Sequence, residues 1–380
     1  MITWFHPQPG PAHERLAALL SHAWGVPVAF GPESVTHEWA DSGWLNAPST
    51  HEPPQDDVAA WIYWRTWSWE QRLPKDAHQR PVGAGADRDL RVPEAELRAR
   101  QWAQALGIPL PKLERPNPVL VVDIDHLFAY RGRGAAAYMG GLLRDALTAK
   151  LTAVRRRIWG PDPFDSLTYW TQLGQDVPQL DVQFFALLAA RKGPYDRGVR
   201  AESAAVQQRL QQLQLRFDVA THLSYGSHDA PEGYREELRA LEDILGRPVV
   251  RQRSHFLRAA RSEELLHRLR DLGVAEDWSL EFADAPGFRA GWASSVLTSG
   301  VVEVPVAAMD QNFLGLSPRE IADELHRLQA AAWSVGAPLR VGTHWRLFGP
   351  QPEVERSPKD FRAWRQGMEL WLHEACSPKA

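Results

Sequence analysis

The sequence predicts an α/β fold: a deformed seven-stranded (β/α) barrel with a smaller N-terminal α/β domain. Three observations carry that expectation. Seven short apolar runs follow one another between residues 119 and 343, and helical patterns separate most of them. This alternation builds a parallel barrel or a doubly wound sheet, and seven runs favour the barrel. The first run, Val119–Ile124, is apolar throughout except for Asp123, as a strand buried on both faces reads. Residues suited to chemistry gather at the C-terminal ends of the runs, where such barrels assemble their sites.

Residues 1–115 form the N-terminal domain. They hold the apolar runs Trp4–Phe5, Val26–Phe30 and Ala59–Trp64, a helix near His13–Trp24, turn formers over 41–57 and a second helix over Pro93–Leu106 between Pro- and Gly-rich clusters. The boundary falls near 110–117, so residues 116–380 are the barrel. Its strands are expected at 119–124, 182–188, 217–223, 249–256, 274–280, 301–307 and 338–343. Helical patterns occupy 135–158, 201–214, 232–245, 262–272 and 318–335. The last is marked by Ser317 as N-cap, Pro318 at the first helical position, Glu320 completing a capping box and Gly336 as the stop. Ser262 and Gly273 bracket the helix before it. Residues 281–300 carry no helix signal and read as a long active-site loop.

Composition limits the partners. With 44% hydrophobic and 24% charged residues the chain is globular. A net charge of −4 gives no electrostatic case for nucleic acid or an anionic membrane. No apolar run reaches membrane-spanning length. The 17 tryptophans read chiefly as core and packing residues. A lone cysteine, Cys376, allows neither a disulfide within the chain nor a thiolate cluster. With no visible secretory signal, the expected location is cytoplasmic.

The chemistry centres on Pro118–Tyr130, PVLVVDIDHLFAY. Asp123 and Asp125, two residues apart, share one face of a strand, about 7 Å apart. His222 ends the third run, followed by Tyr225 and His228; His255 ends the fourth; Asp277 and Trp278 lie in the fifth; His344 and Trp345 end the seventh. One aspartate and two histidines suit a divalent metal, Zn²⁺ or Fe²⁺ or Ni²⁺. Asp125, His222 and His255 fit the ligand roles, with His228 as an alternative to His255. Asp123 fits a general base and His344 a general acid. Arg289, in PGFRAGW, reads as a binder of a substrate anion, a partner of Asp277, or a turn residue in a structural salt bridge. Arg131 and Arg133 could cradle an anion, Tyr195 and Asp196 could line the site, and Arg155–Arg157 reads as a solvated helix face.

Residues 118–345 resemble the polysaccharide deacetylase family, carbohydrate esterase family 4. VVDID is similar to its first motif, VQFFALL to its Phe-rich second strand, THLSYGSH to its histidine motif, RQRSHFL to its arginine-containing fourth strand, DWSL to its Asp–Trp segment and VGTHW to its terminal histidine strand. The run DID, YDR, HxSY, HFL, GFRAG and a final His resembles a divergent bacterial branch with an N-terminal domain of unknown function. The resemblance implies Asp123 as base, Asp125 and His222 as metal ligands, and His344 as the catalytic histidine. The family spaces its two metal histidines i, i+4, but the residue four after His222 is Gly226, so the third ligand must come from His255 or His228.

The resulting expectation is a metal-dependent hydrolase, with a divalent ion (zinc first), that removes an N- or O-acetyl group from a saccharide. Tyr225, Asp277, Arg289 and Trp345 would contact a carbohydrate or other acylated small molecule. The alternatives are a C–N hydrolase acting on a non-sugar amide, and a non-catalytic carbohydrate-binding protein with a degenerate site.

Overall fold

Apolar runs become strands and 3.6-residue patterns become helices in the computed structural model. It describes residues 2–6, 9–31, 42–132, 134–148, 150–230, 232–258, 261–350 and 358–376. Arg133 lies outside them. The chain begins with β1 (Ile2–Phe5), α1 (Pro11–Trp24), β2 (Val28–Gly31), α2 (Val58–Tyr63) and α3 (Glu94–Ala105). It continues through β3 (Val119–Ile124), α4 (Ala135–Leu147), α5 (Leu151–Trp159), α6 (Leu167–Asp176), β4 (Asp181–Ala186), α7 (Ala204–Gln214), β5 (Asp218–Leu223), α8 (Glu232–Leu245) and β6 (Arg251–Ser254). The last part holds α9 (Glu263–Asp271), β7 (Glu276–Leu280), β8 (Val296–Thr298), β9 (Val301–Pro305), β10 (Ala308–Met309), α10 (Pro318–Trp333), β11 (Arg340–His344) and α11 (Pro358–Cys376). The predicted helix over 135–158 is thus two helices.

The α/β class is as expected, and its contacts divide into two units. One comprises Met1–Pro116, Ala259–Ala308 and Arg327–Arg340; the other Asn117–Arg258, Met309–His326 and Val341–Ala380. One division falls at 116/117, and two later segments group with the N-terminal region.

Within the first unit the reason is burial. Phe282, Trp292 and Val296 join Trp4, Leu16, Trp24 and Trp64 in one apolar core. Buried Arg289 pairs with Glu70 through Nε and Nη2 at 2.8 and 2.9 Å. Glu96 accepts from the backbone of Ala293 and Ser294. Gly287, at φ +139°, lets the backbone pass where a Cβ would meet the Leu90 carbonyl at 2.4 Å. Residues 281–300, expected as an active-site loop, are therefore packing and pairing elements of this unit. Here β7 and β9 run parallel, and β8 pairs antiparallel with β9.

In the second unit β3, β4, β5 and β6 pair in parallel, and β11 lies beside β3. β3 is buried along its length, as its unbroken apolar character requires. No helix among the described residues is long and apolar enough to cross a membrane.

Candidate metal centre

Parallel pairing in the second unit puts the C-terminal ends of its strands on one rim. Register then sets the neighbours: His222 on β5 stands opposite Arg253 on β6, and Asp123 on β3 opposite Phe185 on β4. Asp125 follows β3 by one residue, and His255 follows β6 directly. The next two residues, Phe256 and Leu257, take left-handed φ values of 62° and 51°. Such backbone is costly for residues with a Cβ and bends the chain sharply after His255.

Asp125 Oδ1 is the pivot. It lies 3.4 Å from His222 Nε2 and 3.6 Å from His255 Nε2. It is buried and has no hydrogen-bond partner, a condition that native structures avoid unless something else satisfies the atom. The three ligand atoms all lie within 4.8 Å of one another. Tetrahedral coordination with bonds of about 2.1 Å separates ligand atoms by about 3.4 Å, so this donor set fits a zinc-like ion.

The far nitrogens of the imidazoles are held. His222 Nδ1 donates to the Arg253 carbonyl at 3.0 Å, which leaves Nε2 with its lone pair towards Asp125. His255 Nδ1 bonds Asp196 Oδ1 at 2.9 Å. Asp196 is itself fixed by the backbone N–H groups of Tyr225 and Gly226, both at 2.9 Å. His344 Nδ1 bonds Asp310 Oδ2 at 2.8 Å, and its Nε2 lies 3.4 Å from Asp125 Oδ2. That same oxygen accepts from Arg346 Nη1 at 3.0 Å. Asp123 receives Arg253 Nε at 2.9 and 3.0 Å on its two oxygens, and lies 3.9 Å from His222 Nε2.

The electrostatics follow from these pairs. Burial opposes ionisation of Asp125, but the His255 and His344 imidazoles outweigh it and hold the carboxyl well below its usual range. Burial lowers His255, yet Asp125 and Asp196 lift it to about 9. His344 is likewise raised, burial opposing and Asp310 prevailing. Asp196 and Asp310 are lowered, against burial, by the histidines they hold.

Asp123, Asp125, His222, His255 and His344, all singled out from sequence, meet at this rim. His255, not His228, lies beside Asp125; His228 Nδ1 faces the Tyr234 hydroxyl at 3.3 Å. Tyr225 packs against Tyr195, with ring centroids 4.4 Å apart, and against Phe256; the Arg258 guanidinium lies 4.1 Å over it.

Three other expected residues are engaged elsewhere. Trp345 is fully buried, donates to the Leu127 carbonyl at 3.1 Å and packs edge-on against Phe184, so its surface serves the core and not a substrate. Arg289 and Asp277 belong to the first unit. Arg289 takes Glu70 as its carboxylate partner, in place of Asp277. Asp277 accepts the backbone N–H of Ser279 at 2.9 Å.

Asp310 and Arg346 carry no role in the sequence reading, and Asp196 stands there as a residue that could line the site. Arg346 carried a signal, standing two residues after His344. Asp310 had none beyond being the one carboxylate in a short apolar stretch.

No protein-family profile and no curated protein matches the chain. Solved structures do. Among them are chains assigned as polysaccharide deacetylases and an allantoinase. A protein assigned as a polysaccharide deacetylase from Mycobacterium smegmatis is 14% identical, covering 71% of this chain and 87% of its own, with a TM-score of 0.43. The Puue allantoinase is 14% identical over 81% of this chain and 92% of its own, TM-score 0.41. One from Bordetella bronchiseptica, assigned as a polysaccharide deacetylase involved in O-antigen biosynthesis, is 15% identical over 69% and 91%, TM-score 0.35. The chemistry of the rim rests on this chain's own side chains.

Proposed function

We propose that this chain is a divalent-metal-dependent hydrolase that removes an acyl group, most simply an N- or O-acetyl group on a saccharide. The observation that carries the reading is Asp125 Oδ1, buried without a hydrogen-bond partner and facing two imidazole nitrogens. Asp125, His222 and His255 would hold the ion, with zinc the first choice for a two-imidazole, one-carboxylate set. When bound, such an ion supplies Lewis acidity towards an acyl oxygen and towards water.

The remaining steps belong to the side chains. Asp123, oriented by the buried Arg253, takes the proton released as water adds to the acyl carbon. His344, fixed through Nδ1 by Asp310, presents Nε2 to the leaving nitrogen or oxygen and gives it a proton. The acyl–heteroatom bond breaks, giving a carboxylic acid and the free amine or alcohol. The Tyr195–Tyr225–Phe256 cluster offers ring faces on which a sugar could stack.

The test pairs metal content with turnover. Wild-type protein should carry about one zinc-class ion per chain and release acetate from one member of a panel of acetylated saccharides. H222A and D125N should each lose the ion and the activity. A full metal complement retained in both variants would remove these residues from the centre. Turnover confined to small non-sugar amides would move the substrate class to the other C–N hydrolase reading.

A further inference from the structure

The α4–α5 hairpin is built inside out. Three of its polar side chains are engaged within the fold: Arg157 pairs with buried Asp145 at 2.6 Å, its guanidinium lies 4.1 Å over the Tyr130 ring, and the Tyr138 hydroxyl donates to the Arg157 carbonyl at 2.9 Å. Its apolar groups face solvent. Met139, Leu143 and Leu147 recur every four residues along one face of α4. On α5, Leu151, Ile158 and Trp159 share a face, and none of the helix's residues is buried. Leu147, Leu151 and Trp159 are 78%, 73% and 76% exposed. A contiguous exposed patch of such side chains marks an interaction surface.

Charge decides what it fits. Outside the internal Arg157–Asp145 pair, residues 134–160 carry Arg144, Lys150, Arg155 and Arg156 and no carboxylate, in a chain whose net charge is −4. A two-fold contact between copies would set these cations against their own equivalents. An anionic bilayer supplies both an apolar layer and negative headgroups, and exposed Leu and Trp flanked by Arg and Lys is the composition of helices that lie in its interface.

We propose that the α4–α5 hairpin docks this protein onto an anionic lipid bilayer, with Leu147, Leu151 and Trp159 entering the acyl boundary and the flanking cations meeting the headgroups. Tyr138 and Met139 of α4 also line a cavity of about 1030 Å³, shared with Arg131, Lys192 and Arg200, so docking would bring that cavity to the lipid surface. The proposal stands independently of the chemistry assigned to the metal centre.

Vesicle sedimentation of the full chain tests it. Wild type should partition at least about tenfold more strongly onto phosphatidylcholine vesicles containing about one-third phosphatidylglycerol than onto phosphatidylcholine alone, and added salt should weaken this. L147S/L151S/W159S and R155E/R156E should each lose about tenfold or more in partitioning while keeping the wild-type circular dichroism and thermal transition. The lipid and salt dependence of the wild type needs no variant, so misfolding of either variant leaves the test standing. Absence of wild-type binding, equal binding to both vesicle types, or wild-type binding by a folded variant would overturn the proposal. So would a wild-type dimer in sedimentation velocity that the leucine–tryptophan variant converts to monomer.

Discussion

Asp196 and Glu237 do similar work at different distances from the centre. Asp196 fixes the His255 ring, so its loss should leave the ligand present but free to rotate. Outer partners of this kind contribute about 10–100-fold to metal affinity. D196A should weaken zinc binding by that factor in competition titrations against a chromogenic chelator; unchanged affinity would show that His255 needs no such support. Glu237 on α8 receives the Ser224 backbone N–H at 2.8 Å and the hydroxyls of Ser224 and Ser227, both at 2.6 Å. Burial raises its pKa against those hydrogen bonds. A carboxyl raised in the folded state holds its proton where the unfolded chain has released it. Its stabilising contribution is therefore full below about pH 4.3 and is lost as pH rises through the folded value. Denaturation midpoints of wild type and E237Q should diverge above about pH 4.3, with wild type losing stability relative to the variant. Parallel curves would contradict this. The residues that hold other residues were the least legible ones. Asp123, Asp125, His222, His255 and His344 stand at the ends of patterned strands, whereas Asp310 meets His344 only after folding.

β3, β4 and β9 were readable because each is a short, largely apolar run, and α10 because its ends are written locally. The Ser317 backbone N–H donates to the Glu320 carboxylate and the Glu320 backbone N–H to the Ser317 hydroxyl, as the capping box requires, and Gly336 takes a left-handed φ of +81°. The break between α4 and α5 was missed because apolar and basic residues continue through it with no Gly or Pro. Close approach between elements is equally invisible from spacing. A Cβ on Gly198 would lie 2.9 Å from the Asp125 carbonyl oxygen and 3.3 Å from that of Leu187. Both are backbone atoms beyond the ends of β3 and β4, so they have little room to yield. G198A should cost roughly 1–3 kcal/mol in denaturant unfolding and weaken zinc binding with it. Wild-type stability in G198A would mean that this loop adjusts freely.

Whole-molecule features divided in the same way. Composition gave the globular class, but nothing in the linear pattern announces that residues 259–308 and 327–340 group with residues 1–116. Phe282, Trp292 and Arg289 share a core or an ion pair with Trp4, Trp24 and Glu70, more than two hundred residues away, and no linear signal marks such a contact. Net charge also conceals a cationic hairpin inside an acidic total. The central claim is that Asp125, His222 and His255 hold one divalent ion. Anomalous diffraction at the zinc edge from zinc-loaded crystals tests it most directly. The account predicts a single strong peak at bonding distance, about 2.0–2.2 Å, from Asp125 Oδ, His222 Nε2 and His255 Nε2. A zinc-loaded crystal with no peak among these three side chains would contradict it.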